Sequence, residues 1–410
     1  MACMRSCPTR AIRVRNGKAV TNDELCIDCG TCVTACPSGA INVGTDPVAQ
    51  ISRFRHRVIV PSPVLYSQFD PGIHPYILHL AFRELGFDEV VDVTTSAAAL
   101  ATALVKYMKA YRGRLPLISS YCPCIVRLIQ VKYPDLVELL VPLDVPREIT
   151  AREIRRSLPQ KLGLQPEEIG VIYIATCPAK IVSVTEPAEK QRSWFDAVVS
   201  IRDIYSALLP HVMAIKQEFD PRQVPDDFVF ETGWVRMGSI ARAARTERWL
   251  AVSGLDHVTR ILDDIENSRL SNTDFVEMLA HMLGCVGGPL NVENPYVART
   301  NSIKQSRLYE RRIQCDEEEI ELKLHAGYFD LEHPLLPRRT TYFDTDLETS
   351  IKRMNERERV YRKLPQIDCG CCGAPTCMAF AEDVVHGAAQ LTDCLPLREH
   401  GRPGAREEAR

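Results

Sequence analysis

Cysteine supplies most of the chemistry this sequence can do: 16 of its 410 residues are cysteine, gathered in tight runs near both ends with single residues between. The run CIDCGTCVTACP sets Cys26, Cys29, Cys32 and Cys36 at C-x2-C-x2-C-x3-C-P spacing. Three thiolates so close together can hold three corners of an iron-sulfur cubane. Zinc is the competing use of such ligands, although zinc knuckles use two cysteine pairs and not four cysteines in one run. Near the other end, five cysteines lie within LPQIDCGCCGAPTCMAFAEDVVHGAAQLTDC, where zinc is again the alternative to iron. Between the ends stand SSYCPC with Cys122, IATCPAK with Cys177 and Lys180, and EMLAHMLGCVGGPLNVENP with Cys285 and, four residues earlier, His281. A buried core thiol is the plain reading of any one of them.

Positioning such residues is the task of the elements around them. Residues 1–45 repeat a motif, CPTRAIRV against CPSGAINV, each a Cys-Pro turn before a short β-like segment, which predicts a pseudo-twofold, ferredoxin-like α+β minidomain. Over 55–345, RHRVIVPSP, EVVDVTT, LPLISS and IGVIYIATC read as strands, alternating with helical PYILHLAFRELGF and AAALATALVKYMKAY. This alternation predicts an α/β body with mainly parallel sheets, and at its strand ends residues distant in sequence converge on one crevice. The run before Cys285 reads as a helix leading into a flexible turn. A charged helical linker, LETSIKRMNERERVYRK, leads to a small helical third piece over 352–410, where MAFAEDVVHGAA reads as a helix and REHGRPGAREEAR as a fraying tail. With 45% apolar and 25% charged residues and a net charge of −3, the chain has no overall basic field for nucleic acid. No uninterrupted apolar run is long enough for a membrane span, and no export signal precedes the cysteines, which points to a reducing cytosol.

The first run resembles that of bacterial ferredoxins, in which the fourth cysteine of each run reaches across to the other cluster. The resemblance implies a cluster on Cys7, Cys26, Cys29 and Cys32, with Cys3 and Cys36 as half of a second set. MACMRSCP supplies only the third and fourth members of the partner run. Either one cluster has been lost or the true start lies upstream of Met1. The C-terminal run resembles the small [4Fe-4S] domain of the B subunit of Rnf-type electron-transport complexes and of corrinoid iron-sulfur proteins, which reads C-G-x-C-G-x4-C with a distant fourth cysteine. Its ligands fall on Cys369, Cys372, Cys377 and Cys394, and Cys371 sits at the variable position as a spare thiol.

Over residues 57–305 the order and spacing of the middle segments resemble the catalytic domain of [FeFe]-hydrogenases, with signatures T-S-C-C-P, M-P-C-x-x-K and E-x-M-A-C-x-G-G-C-x-G-G. The fold this implies is a two-lobed α/β body. In that family four cysteines hold a [4Fe-4S] subcluster, and the last also bridges to a two-iron centre carrying carbonyl, cyanide and a dithiolate. Cys122, Cys177 and Cys285 match three of these ligands, with Cys285 as the bridge, and His281 falls where the remaining cysteine belongs. A Cys3His cluster and an incomplete cluster with His281 turned away both remain open. Tyr121 stands at the family's proton-relay cysteine, and a phenol with a pKa near 10 relays protons poorly at neutral pH. Lys180 matches the lysine that hydrogen-bonds a cyanide, and Pro63 an early alanine-proline contact; Cys124 and Cys315 match no ligand.

The expectation is a cytosolic multi-cluster iron-sulfur redox protein with about three [4Fe-4S] clusters, four if the N-terminus is truncated. Electrons would pass between terminal clusters and a modified central site, coupled to slow H2 oxidation and proton reduction or to sensing of H2 or redox state. The alternative is an electron-transfer or regulatory protein lacking the two-iron centre and without hydrogenase activity. Implied partners are a ferredoxin-like or other redox protein and, for sensing, a separate signalling protein.

Overall fold

The apolar runs of the middle segment become buried parallel strands. The computed structural model describes residues 1–47, 51–311, 313, 315–338 and 347–400, so tail residues 401–410 and the expected boundary at 345 lie outside the described residues. Where the tail is described, Leu395–His400 is helical. The structure divides into two compact units, one of Met1–Ile27, Thr31–Asn42 and the chain from Arg338 on, the other of Asp28–Gly30 and Val43–Pro337.

The larger unit is α/β. Strands β3 (His56–Pro61), β4 (Glu89–Val90), β6 (Ile169–Ala175) and β7 (Ala197–Ser200) form one parallel sheet in the order β4-β3-β6-β7. Strands β5 (Leu117–Ile118), β8 (Trp249–Ser253) and β9 (Phe275–Leu279) form a second, also parallel, in the order β5-β9-β8. All seven residues of β6 are buried, because helices cover both faces of a parallel sheet and leave no polar side. Helices Pro75–Glu84 and Ile201–Glu218 carry the core on one face of the first sheet, and Pro146–Leu162 and Pro178–Thr185 the core on the other. Helix Thr94–Ala110 packs on the second sheet through Ala97, Leu100 and Leu104. The segment before Cys285 is β9 and not a helix. Its five residues are all buried in the middle of a parallel sheet, and such short apolar runs carry no period that separates strand from helix.

In the smaller unit, helix Ala2–Ser6 precedes a hairpin of β1 (Ile12–Arg15) and β2 (Lys18–Thr21). Asn16 and Gly17 both have positive φ, the backbone of a two-residue hairpin turn. The second Cys-Pro repeat forms no strand. Among the described residues no returning segment pairs with it, and its continuation enters the larger unit, where the Asp46 N–H donates to the Val198 carbonyl at 2.9 Å. Helix Leu347–Lys363 packs against Cys377–Val385 around Val360, Leu364 and Phe380.

Candidate metal centre

Three cysteines far apart in sequence meet at strand ends of the larger unit. Cys122 follows β5 and caps helix Pro123–Lys132, Cys177 follows β6 and caps helix Pro178–Thr185, and Cys285 follows β9 through residues 280–284. All three are buried. Gly288 lies so close to the carbonyl of Thr176 that a Cβ there would collide with it, and this approach seats the Cys285 turn beside Cys177. Burial, followed by the neighbouring Cys285 and Cys177, pushes the Cys122 thiol up to about 12, and burial likewise raises Cys177. Crowded and desolvated, the Cys122 and Cys177 thiols resist ionisation until a cation compensates them, and iron ligation supplies that compensation. The donor set therefore fits an iron-sulfur cluster.

Lys180 and Tyr121 occupy the space next to Cys285. Lys180 is 3% exposed and its Nζ donates to Cys285 Sγ at 3.4 Å. Burial alone would pull this ammonium down, but Cys285, Tyr173 and Tyr121 hold its pKa well above the ordinary lysine value. The Tyr121 ring lies 5.6 Å from Lys180 Nζ and packs on Trp234. Burial raises its phenol above the ordinary range, against the pull of Lys180. Cavities lined by Tyr121 measure about 40, 30 and 10 Å³, the smallest shared with Pro63, Arg147 and Tyr173. On this measure a single water needs about 10–15 Å³. A two-iron centre with carbonyl, cyanide and dithiolate ligands is many times larger. As these side chains stand, the space lined by Tyr121 does not fit the two-iron centre.

His281 is engaged elsewhere. Its Nε2 donates to the carbonyl of Cys29, a residue of the same unit, at 2.9 Å. A carbonyl only accepts, so this bond places the proton on Nε2 and leaves the lone pair on Nδ1. Burial lowers the imidazole pKa, which keeps the ring neutral. A metal-binding histidine is commonly held by such a backbone carbonyl. The three thiols are thus brought together, and the His281 ring is fixed with only Nδ1 able to bind metal.

In the smaller unit Cys7 Sγ accepts the Ala11 N–H at 3.2 Å, while Cys36 Sγ lies 3.5 Å from Ser38 Oγ. That contact, first of several, lowers the Cys36 thiol to about 7. Cys3, Cys26 and Cys32 are half-buried, and Cys29, partitioned with the larger unit, is buried. In the C-terminal piece Cys377 and Cys394 are buried in one small core against which Cys372 packs. Burial raises Cys372, and neighbouring Cys394 and Cys369 raise it further. Cys371 is exposed. All sixteen cysteines are free of disulfides.

The family model for the C-terminal domain of the iron-only hydrogenase large subunit matches residues 56–229, and a 4Fe-4S dicluster model matches residues 1–41. These matches support a hydrogenase-like large-subunit chain with 4Fe-4S domains. A further Fe-S cluster model matches residues 364–396 of this hydrogenase-like chain. It is 27% identical over 154 residues to iron hydrogenase 1 of Clostridium pasteurianum, covering 35% of the chain and 27% of that protein. Over 43 residues it is 49% identical to the corrinoid/iron-sulfur protein large subunit of Moorella thermoacetica, covering 10% of each. The matched stretches span less than a third of the curated relatives' length. An apo [FeFe]-hydrogenase of Chlamydomonas reinhardtii shares the fold at a TM-score of 0.50 and 17% identity, covering 72% of this chain and 97% of that one. Among the described residues no helix is long and apolar enough to cross a membrane.

Sequence reasoning missed two features of the hydrogenase-like body. Arg147 is buried with its guanidinium 5.9 Å from the Tyr173 ring, and both flank Tyr121. Glu277 on β9 is 0% exposed and accepts N–H groups of Gly238 and Ala241 at 3.1 and 2.8 Å. Burial outweighs those bonds and raises its carboxyl to about 7. A single carboxylate inside the apolar run FVEMLA was the available signal for it.

Proposed function

We propose that this hydrogenase-like iron-sulfur protein carries or reports electrons and does not turn over H2. In this reading the central site is a cluster on Cys122, Cys177 and Cys285, with His281 Nδ1 as the fourth donor. Lys180 stabilises negative charge at Cys285. Terminal clusters on Cys7, Cys26, Cys29 and Cys32 and on Cys369, Cys372, Cys377 and Cys394 connect it to a redox partner of ferredoxin type in the cytoplasm. One observation carries the choice over hydrogen turnover or H2 sensing: Lys180 Nζ contacts Cys285 Sγ at 3.4 Å, and Tyr121 fills the adjoining space. A hydrogen site needs room for the two-iron centre and a group that shuttles protons near neutral pH. The raised phenol of Tyr121 supplies neither.

The test is infrared spectroscopy of protein co-produced with the [FeFe]-hydrogenase maturation machinery. The expected spectrum has no iron-bound carbonyl or cyanide bands, and H2/D2 exchange stays at background. Carbonyl and cyanide bands at one set per chain would restore the hydrogenase reading.

A further inference from the structure

The N-terminal hairpin and the C-terminal cysteine loop share an edge within the smaller unit. The Val14 N–H donates to the Gly373 carbonyl at 2.8 Å, and Arg15 Nη1 to the Cys372 carbonyl, also at 2.8 Å. Arg5 Nη2 reaches the Cys369 carbonyl at 3.5 Å. Behind the loop, Asp383 on helix Cys377–Val385 accepts Arg13 Nε at 2.7 Å and Arg15 Nη2 at 2.6 Å. The Arg13 and Asp383 side chains are mostly buried.

Two glycines of the cysteine loop are shaped by this contact. A Cβ on Gly373 would collide with the Val14 carbonyl oxygen, and one on Gly370 would stand 2.9 Å from Met4 Cε. Met4, between Cys3 and Cys7, is 1% exposed. The strand that reaches Gly373 starts at the other cluster site, since the Ala11 N–H donates to Cys7 Sγ. Three residues of extended chain, about 10 Å, separate Ala11 from Val14.

We propose that the set of Cys369, Cys372, Cys377 and Cys394 and the set that includes Cys7 exchange electrons directly across this edge, held in register by Asp383 clamped between Arg13 and Arg15. The proposal rests on the ligand reading given above. A cluster held by each set would supply the one-electron chemistry: one cluster would be oxidised as the other is reduced, with no proton or further reactant. Arg13, Arg15 and Asp383 are positioning residues that touch neither set through their charged groups except by the Arg15 bond to the Cys372 carbonyl.

The experiment is paramagnetic resonance of the full chain, reconstituted with iron and sulfide and fully reduced. Cys32→Ser and Cys372→Ser chains, each lacking one terminal cluster, supply the separate spectra, with the central signal, read from the chain carrying both substitutions, counted once in their sum. In the wild type, spin–spin interaction should broaden the lines beyond the sum of those spectra. Asp383→Lys, which faces two guanidiniums with a third cation, should keep its iron and lose the interaction. Arg13→Glu combined with Arg15→Glu, away from the C-terminal cysteines, should do the same, and adding Asp383→Lys to that pair should restore it. A wild-type spectrum equal to the sum, or interaction fully retained in both charge-reversed chains, overturns the proposal. If Cys32→Ser and Cys372→Ser hold as much iron as wild type, the ligand reading itself fails and the proposal falls with it.

Discussion

Replacing Lys180 by methionine removes one buried positive charge and keeps the length of the side chain. The ammonium lies 3.4 Å from Cys285 Sγ and is 3% exposed, so solvent screens it little. At an effective dielectric constant of about 20, a unit charge at that distance interacts by about 5 kcal/mol. An electron added to a cluster spreads over several irons and sulfurs, so roughly a quarter to a half of that is felt, about 1–2.5 kcal/mol. For a one-electron couple this corresponds to about 50–100 mV. Without Lys180 the reduced form loses its compensation, so the potential of the central cluster should move down by that amount. Lys180→Arg keeps the charge and should stay close to wild type. The assay is a potentiometric titration of the central paramagnetic signal in the three chains. A Lys180→Met potential within about 20 mV of wild type, or above it, would refute the argument that this lysine compensates charge at Cys285.

Cys372→Ser should strip iron from the C-terminal piece and leave it open to protease, because so small a core folds around its metal; a larger effect from Cys371→Ser would overturn the ligand assignment. Iron in the N-terminal piece should survive Cys36→Ser and be lost in Cys32→Ser, and a loss in both would argue for a second cluster there. His281→Cys exchanges neutral imidazole for thiolate and should lower the central potential, whereas central spectra identical in wild type, His281→Ala and His281→Cys would take His281 off the metal. Glu277 titrates near 7 in the fold against about 4.5 in water, so it binds the extra proton in the native state. Its contribution is complete below pH 4.5 and lost as pH rises through 7, about 3 kcal/mol over that window. Glu277→Gln should flatten this part of the urea-midpoint profile between pH 5 and 8, and parallel profiles would count against it.

The two terminal cysteine runs stood out because their spacing is local, whereas Cys122, Cys177 and Cys285 lie far apart in the chain and only the fold draws them toward one another. The α/β body was legible from the alternation of runs such as IGVIYIATC and AAALATALVKYMKAY. The β9 segment was not, because a strand buried on both faces has no polar period to betray it. The second Cys-Pro repeat looked like the first, and what separated them was the presence of a returning strand, which a repeat unit cannot report on itself. Tyr121 stood out as a departure by position, but the contact of Lys180 with Cys285 that closes the site depends on how two sheets meet. The clamp on Asp383 was invisible for a similar reason: its partners are 370 residues away, and nothing in the local pattern of either segment names the other.

That separation also sets a clock on biosynthesis. At 5–20 residues per second the ribosome needs about 20–75 s to travel from Arg13 to Asp383. The hairpin therefore emerges first and waits through translation of the entire α/β body for the loop it will pair with. Until then Val14 presents an open strand edge, the kind of surface that recruits wrong neighbours. Arg13, Arg15 and Lys18 crowd the same short hairpin with positive charge, a means by which nascent chains keep such an edge from pairing with its own kind before its partner arrives.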